Sequence, residues 1–202
     1  GGTLTALSAH CTHYHGPLAD GLIVGNTIRC PWHHACFDLA TGEALAAPAL
    51  SPLSCWQVEE RGGRIIVGAK KEQPAPRRTG SPNEHIVIVG GGAAGFAAAE
   101  MLRRRGYGGR VTMLSNDTAA PVDRPNLSKD YLAGSAPEDW VPLRDDGWYA
   151  ANKIDLKLNT EVSAIDPKAK QLTLGSGTAM AFDKLLLATG AEPVKLGIPG
   201  ED

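Results

Sequence analysis

The first third of the chain alternates short apolar runs with Gly and Pro. Residues 21–25 (GLIVG), 26–29 (NTIR), 56–58 (WQV) and 64–67 (RIIV) predict short strands joined by tight turns, and hence an all-β module over residues 1–69. Arg61-Gly62-Gly63-Arg64 predicts the turn of a terminal hairpin. Residues 70–84 (KKEQPAPRRTGSPNE) have the composition of a semi-stiff, solvated linker. The pattern then changes. His85–Val89 is a continuous apolar run of the kind found in parallel strands buried on both faces. A helical stretch runs to Arg105 and is ended by Gly106, Gly108 and Gly109, after which Arg110–Leu114 predicts the next strand. Together these form a βαβ unit of about 30 residues. A helix is expected over residues 145–152, with shorter strands over 154–158, 161–165, 171–174 and 184–187. The expected architecture is two domains: all-β over 1–69, then a Rossmann-like, three-layer α/β domain over 85–202.

Composition narrows this picture. Over 202 residues, 43% hydrophobic and 21% charged content is ordinary for a globular protein. A net charge of −2 offers no electrostatic footprint for nucleic acid. No apolar run approaches the roughly 20 residues of a membrane span. All four cysteines fall between positions 11 and 55, among histidines. That clustering points to metal rather than to a disulfide framework, and to a reducing, cytoplasmic setting.

Cys11-Thr12-His13 is followed, after 16 intervening residues, by Cys30-Pro31-Trp32-His33. Two thiolates suit one iron and two imidazoles the other, which is the donor set of a [2Fe–2S] centre with mixed ligation. A single tetrahedral zinc held by the same four residues is the alternative. Cys36 and Cys55 read as small buried hydrophobes, and His10, His15 and His34 as non-ligands. From Leu7 to about Val67 the chain resembles the Rieske family, on Cys-Thr-His-Tyr, Cys-Pro-Trp-His and the later Pro48 segment. The resemblance implies Cys11, His13, Cys30 and His33 as the cluster ligands. Rieske proteins of cytochrome complexes carry an extra disulfide between the two cluster loops, whose cysteines would fall at Gly16 and Trp32. Both are absent here, so the domain resembles the ferredoxin type. His34 departs from the family, where Gly is common after the ligand histidine.

Gly90, Gly92 and Gly95 follow a strand and open a helix. The first permits a tight turn, the second a close approach of pyrophosphate, and the third close packing of helix on strand. The helix N-terminus beside Ala94 stabilises phosphate charge. The dinucleotide expected is FAD. The acidic ribose-binding position falls at Asn116-Asp117, with either residue open as the contact. Residues 123–129 (DRPNLSK) and 186–191 (LLATGA) resemble segments of flavin-dependent ferredoxin reductases. In that family the residues matching Arg124, Lys129, Thr189 and Gly190 lie against FAD, the lysine near the isoalloxazine, and Val162 aligns with a backbone contact to adenine. Arg103, Arg104 and Arg105 end a helix and complement its dipole. No cysteine follows Cys55, so this chain lacks the redox pair of the disulfide reductases.

Taken together, a ferredoxin-type Rieske domain followed by a reductase-type flavin domain resembles the apoptosis-inducing-factor-like oxidoreductases. The resemblance implies that NAD(P)H reduces FAD and that electrons pass singly to the Rieske cluster and on to an acceptor such as a redox protein. The NAD(P)H-binding domain and the opening Rieske strands are missing from the sequence. It therefore reads as a fragment of a reductase of roughly 400 to 500 residues. The competing reading is a non-enzymatic electron-carrier or redox-sensing module with a flavin-fold docking unit. An oxygenase component would need a mononuclear iron facial triad, which the sequence does not offer.

Overall fold

A computed structural model of the chain describes residues 2–72, 76–192, 194–195 and 197–198. The middle of the expected linker (73–75) and the last four residues lie outside the described residues. The chain divides into two compact units, separated between residues 75 and 76.

The first unit contains β1 (Ala6–Leu7), β2 (Leu22–Val24), β3 (Thr27–Arg29), β4 (Cys36–Asp38), β5 (Ala44–Ala46), β6 (Cys55–Arg61) and β7 (Arg64–Lys70). They form two antiparallel sheets, ordered β1-β6-β7 and β2-β3-β4-β5. The β6–β7 hairpin closes on the pair Arg61 and Arg64. Its two central residues, Gly62 and Gly63, have φ of 59° and 72°, the left-handed pair that a type I′ turn requires. The core gathers Leu18, Ala35, Phe37, Ala44, Ala49 and Leu53 around Cys11 and Cys30. By contrast, Leu22, Ile23 and Val24 form a strand whose side chains are exposed.

The second unit contains β8 (His85–Val89), α1 (Ala93–Arg104), β9 (Arg110–Leu114), α2 (Arg124–Leu127), α3 (Asp146–Ala151), β10 (Ile154–Lys157), β11 (Val162–Asp166), β12 (Gln171–Leu174), β13 (Ala179–Ala181) and β14 (Lys184–Leu187). Its main sheet is parallel throughout, ordered β10-β9-β8-β14. The register places Val89, Leu114 and Leu187 side by side, so three strands end at one carboxyl edge. Gly95 allows α1 to lie against β8: a Cβ there would meet the Gly90 carbonyl oxygen at 2.1 Å and Ile88 Cγ2 at 3.3 Å. The antiparallel meander β11-β12-β13 supplies Leu172, which packs with Val87 and Leu114 of the parallel sheet. Meander, sheet and helix are the three layers.

Three polar arrangements tie this unit together. Thr79 and Gly106 share a backbone hydrogen bond (2.9 Å), as do Gly108 and Thr79 (2.8 Å), so the end of the 70–84 segment is anchored beside the C-terminus of α1. Arg103 donates to the carbonyls of Tyr107, Gly109, Asn152 and Lys153, a clamp that goes beyond complementing the helix dipole. Glu100, buried on α1, receives two bonds from one Arg144 nitrogen at 3.0 and 2.9 Å. The Arg144 guanidinium also lies 5.5 Å from the Phe96 ring and 5.6 Å from the Trp148 ring. No helix among the described residues is long and apolar enough to cross a membrane.

Candidate functional site

The first candidate site lies on two loops with the same backbone design. In one, the Cys11 amide donates to the Gly16 carbonyl (2.9 Å) and the His15 amide to the Cys11 carbonyl (3.1 Å). In the other, the Cys30 amide donates to the Ala35 carbonyl (2.9 Å) and the His34 amide to the Cys30 carbonyl (3.1 Å). The fourth residue after each cysteine is left-handed, with φ of 58° at His15 and 59° at His34. An L side chain pays roughly 1–2 kcal/mol for that conformation. A glycine at either position would carry no such cost.

Both cysteines are buried, at 1% and 2% exposure. Burial pushes the Cys11 thiol up; the His13 amide, 3.4 Å from its sulfur, acts the other way, and the neighbouring Cys30 raises it further. The two imidazoles form the second pair, with His13 and His33 edge to face at a centroid distance of 5.0 Å. The donors are thus grouped as thiol with thiol and ring with ring. Among the described residues, no three His, Cys, Asp or Glu gather as ligands of one ion. The grouping of thiol with thiol and ring with ring fits the donor set of a two-iron cluster, two thiolates for one iron and two imidazoles for the other. Positions 16 and 32 adjoin, since a Cβ on Gly16 would lie 3.1 Å from Trp32 Cδ2 and 2.8 Å from Cys30 Sγ. The Trp32 indole therefore fills the space beside Gly16. Cys36 is half-buried on β4, and Cys55 is buried beside Gly42, with its thiol pushed up by burial.

The second candidate site is a cleft of about 360 Å³ at the carboxyl edge of the parallel sheet. Gly90, Gly92, Asn116, Asp117, Arg124, Val162, Thr189 and Gly190 all line it. Each glycine has its own reason. Gly90 has φ of 122°, and a Cβ there would meet the Ala188 carbonyl oxygen at 2.1 Å. A Cβ on Gly92 would meet no protein atom within 4 Å, so that face is open to a ligand. Gly92 also caps α1, whose first amides carry the positive end of the helix dipole. Asp117 is held from two sides. Its amide donates to Ser115 Oγ (3.2 Å), and its carboxylate pairs with Arg124 at 3.2 Å.

Ala94, Gly95 and Lys129 do not line this cleft. Gly95 serves packing; Lys129 is expected near an isoalloxazine rather than near adenosine and pyrophosphate. The cleft also contains Thr160, Glu161 and Glu192, which the sequence did not single out. Thr160 and Glu161 come from the turn before β11, which the Thr160 amide ties to the Ser115 carbonyl (2.7 Å) and the Asn159 amide to the Asp117 carbonyl (3.0 Å), just past the end of β9. The residues present fit the adenosine and pyrophosphate portion of a dinucleotide.

Residues 84–202 match the Pyridine nucleotide-disulphide oxidoreductase family, and residues 1–57 match the Rieske [2Fe-2S] domain. Apoptosis-inducing factor 3 of Homo sapiens is 33% identical over 214 aligned residues, covering 100% of this chain and 35% of that protein. The biphenyl dioxygenase system ferredoxin–NAD(+) reductase component of Paraburkholderia xenovorans is 43% identical over 105 residues, covering 52% of this chain and 26% of the relative. In the crystal structure of the covalent putidaredoxin reductase–putidaredoxin complex, one chain superposes with a TM-score of 0.58 at 39% identity, covering 59% of this chain and 29% of its own length. The chain therefore spans about a third or less of the length of these relatives.

Proposed function

The chain belongs to the pyridine nucleotide-disulphide oxidoreductase family and carries a Rieske [2Fe-2S] domain ahead of that region, and from this premise we propose that it is part of an NAD(P)H-dependent flavoprotein reductase that passes electrons from FAD to its fused Rieske cluster and on to an acceptor. When bound, the two groups supply hydride acceptance and one-electron transfer, while the protein supplies position and electrostatics. The observation that carries the proposal is the sorting of four donors into a buried thiol pair and an imidazole pair, in a chain that also has a glycine cleft at its sheet edge.

In this reading residues 1–69 are the Rieske domain, 70–84 connect, and 85–202 begin the flavin domain. Cys11 and Cys30 hold one iron, and His13 and His33 the other. The buried thiols would hold their iron away from solvent, while His13, half-buried, and His33, exposed, would stand on the solvent side of the cluster. Gly90 and Gly92 bring backbone amides to the pyrophosphate, and Gly95 sets the helix behind them. Of Asn116 and Asp117, the ribose is assigned to Asp117, because a carboxylate accepts from two vicinal hydroxyls and this one is held by Ser115 Oγ, which donates to it at 3.4 Å, and by Arg124 at 3.2 Å. Arg124 offsets phosphate charge, Val162 meets adenine, and Thr189 and Gly190 close the cleft. Lys129 reaches the isoalloxazine. NADH or NADPH as donor, a small redox protein as acceptor and a cytoplasmic setting complete the proposal. Four cysteines without a disulfide suit a reducing compartment.

The test is a visible spectrum with EPR on the dithionite-reduced full-length protein. A rhombic Rieske signal together with bound flavin is expected. A colourless protein holding zinc would overturn the central assignment.

A further inference from the structure

Tyr14 touches three of the four candidate ligands. Its ring stacks on His13 at a centroid distance of 4.0 Å and an interplanar angle of 16°. The same ring meets His33 edge-on at 5.7 Å and 82°. His13 and His33 meet each other at 5.0 Å and 83°, so the three rings close a triangle. The Tyr14 amide faces Cys11 and favours its thiolate form. Yet Tyr14 is 37% exposed and takes no part in the hydrophobic core of its unit. Core packing is the usual reason for a large aromatic ring to be held in one place, and here it does not apply. Two ring contacts of Tyr14 are with the pair of histidines.

We propose that Tyr14 is a positioning residue for the Rieske centre, fixing the orientation of both ligand imidazoles through the face and edge of its ring. This rests on the ligand assignment made above. An imidazole ligand can rotate about its Cβ–Cγ bond, and its overlap with the metal changes with that angle. Groups outside the coordination shell commonly restrict such rotation. A ring stacked at 4.0 Å blocks rotation of His13 directly, and the edge contact transmits the restriction to His33. The ring also keeps water from one face of His13. The contacts with both imidazoles are made by the ring itself, so phenylalanine should preserve them.

The experiment uses the full-length protein purified with its cluster, as wild type, Tyr14→Phe, Tyr14→Leu and Tyr14→Ala. Iron and sulfide content and the reduced EPR signal of wild type come first. If wild type lacks a Rieske signal, the ligand assignment fails, independently of Tyr14. With that signal in hand, Tyr14→Phe should reproduce the wild-type g values and the wild-type rate of cluster loss to a chelator. Tyr14→Leu keeps bulk without an aromatic face. It should shift and broaden the g values and lose its cluster roughly three- to tenfold faster, the equivalent of one or two ring contacts. Tyr14→Ala should do at least as much; should it fail to fold, the Leu variant carries the test. Wild-type g values and loss rate in Tyr14→Leu would overturn the proposal. So would a Phe variant that behaves like the Leu variant, since the effect would then belong to the hydroxyl.

Discussion

Glu100 and Arg144 form the most consequential buried ion pair of the second unit. The Glu100 side chain is 7% exposed and that of Arg144 24%. Both carboxylate oxygens accept from Arg144 Nη2, at 3.0 and 2.9 Å, while Arg104 stands 3.9 Å away as a weaker second partner. Replacing Arg144 with Met preserves bulk against Phe96 and Trp148 but leaves the buried carboxylate with the weaker Arg104 contact at 3.9 Å. Breaking a buried pair in this way costs about 3–5 kcal/mol, and the remaining arginine places this variant near the lower end. Glu100→Leu should cost less, about 1–2 kcal/mol, because the partly exposed guanidinium keeps its ring contacts and reaches water. The double variant Glu100→Leu/Arg144→Met removes both charges and should fall within about 1 kcal/mol of wild type. The expected coupling is therefore about 3–5 kcal/mol in magnitude, far above the few tenths expected of independent sites. Urea unfolding of the four proteins measures it. A loss of about 3 kcal/mol should also lower the melting temperature by on the order of 10 °C. Because α1 carries the glycine loop at its other end, the Arg144→Met variant should also retain FAD less well, and the double variant should recover. Additive losses in the double variant would refute the reasoning.

Three other outcomes follow from the geometry. Gly16→Ala places a Cβ 2.8 Å from Cys30 Sγ, and overpacking of about 1–3 kcal/mol beside a ligand should show as reduced iron content with the flavin unaffected. His34→Gly relieves a left-handed residue and should raise the melting temperature of the Rieske unit by an amount equivalent to about 1 kcal/mol, with the EPR signal unchanged. His85 gives a pH dependence. Its ring nitrogens meet the Ala181 carbonyl (3.0 Å) and Thr112 Oγ1 (2.9 Å), and burial, aided by Arg110 and opposed by Asp183 and Asp155, holds its pKa below the ordinary 6.5. The folded ring stays neutral while the unfolded one takes a proton, so stability is full above about pH 6.5 and falls as the pH drops through that value, with a slope of up to about 1.4 kcal/mol per unit. His85→Asn should flatten the slope in urea midpoints measured between pH 5 and pH 8; an unchanged slope would assign it to another group.

Much of the molecule was legible from local chemistry. The two Cys/His motifs, the Gly90–Gly95 loop and the runs of β8, α1 and β9 lie in short stretches whose meaning is set by neighbours in sequence. Strands β1, β4, β5 and β13 were not legible, since two or three residues carry no periodicity and exist only because a partner strand pairs with them. The exposed Leu22–Val24 strand shows the converse, an apolar run that is not core. Within the cleft, Thr160, Glu161 and Glu192 reach the glycine loop only through the sheet register, and no sequence signal marks them. Lys129, assigned with Arg124 from one segment, does not line the cleft that Arg124 lines. Glu100 and Arg144 are separated by 44 positions and read as ordinary surface charges until α1 and the segment before α3 pack together. The sequence by itself determined which donors are available and in what order, because ligand type and spacing are properties of the chain. Tertiary structure decided how they are grouped, thiol with thiol and ring with ring under Tyr14, because distance between loops is set by packing rather than by spacing.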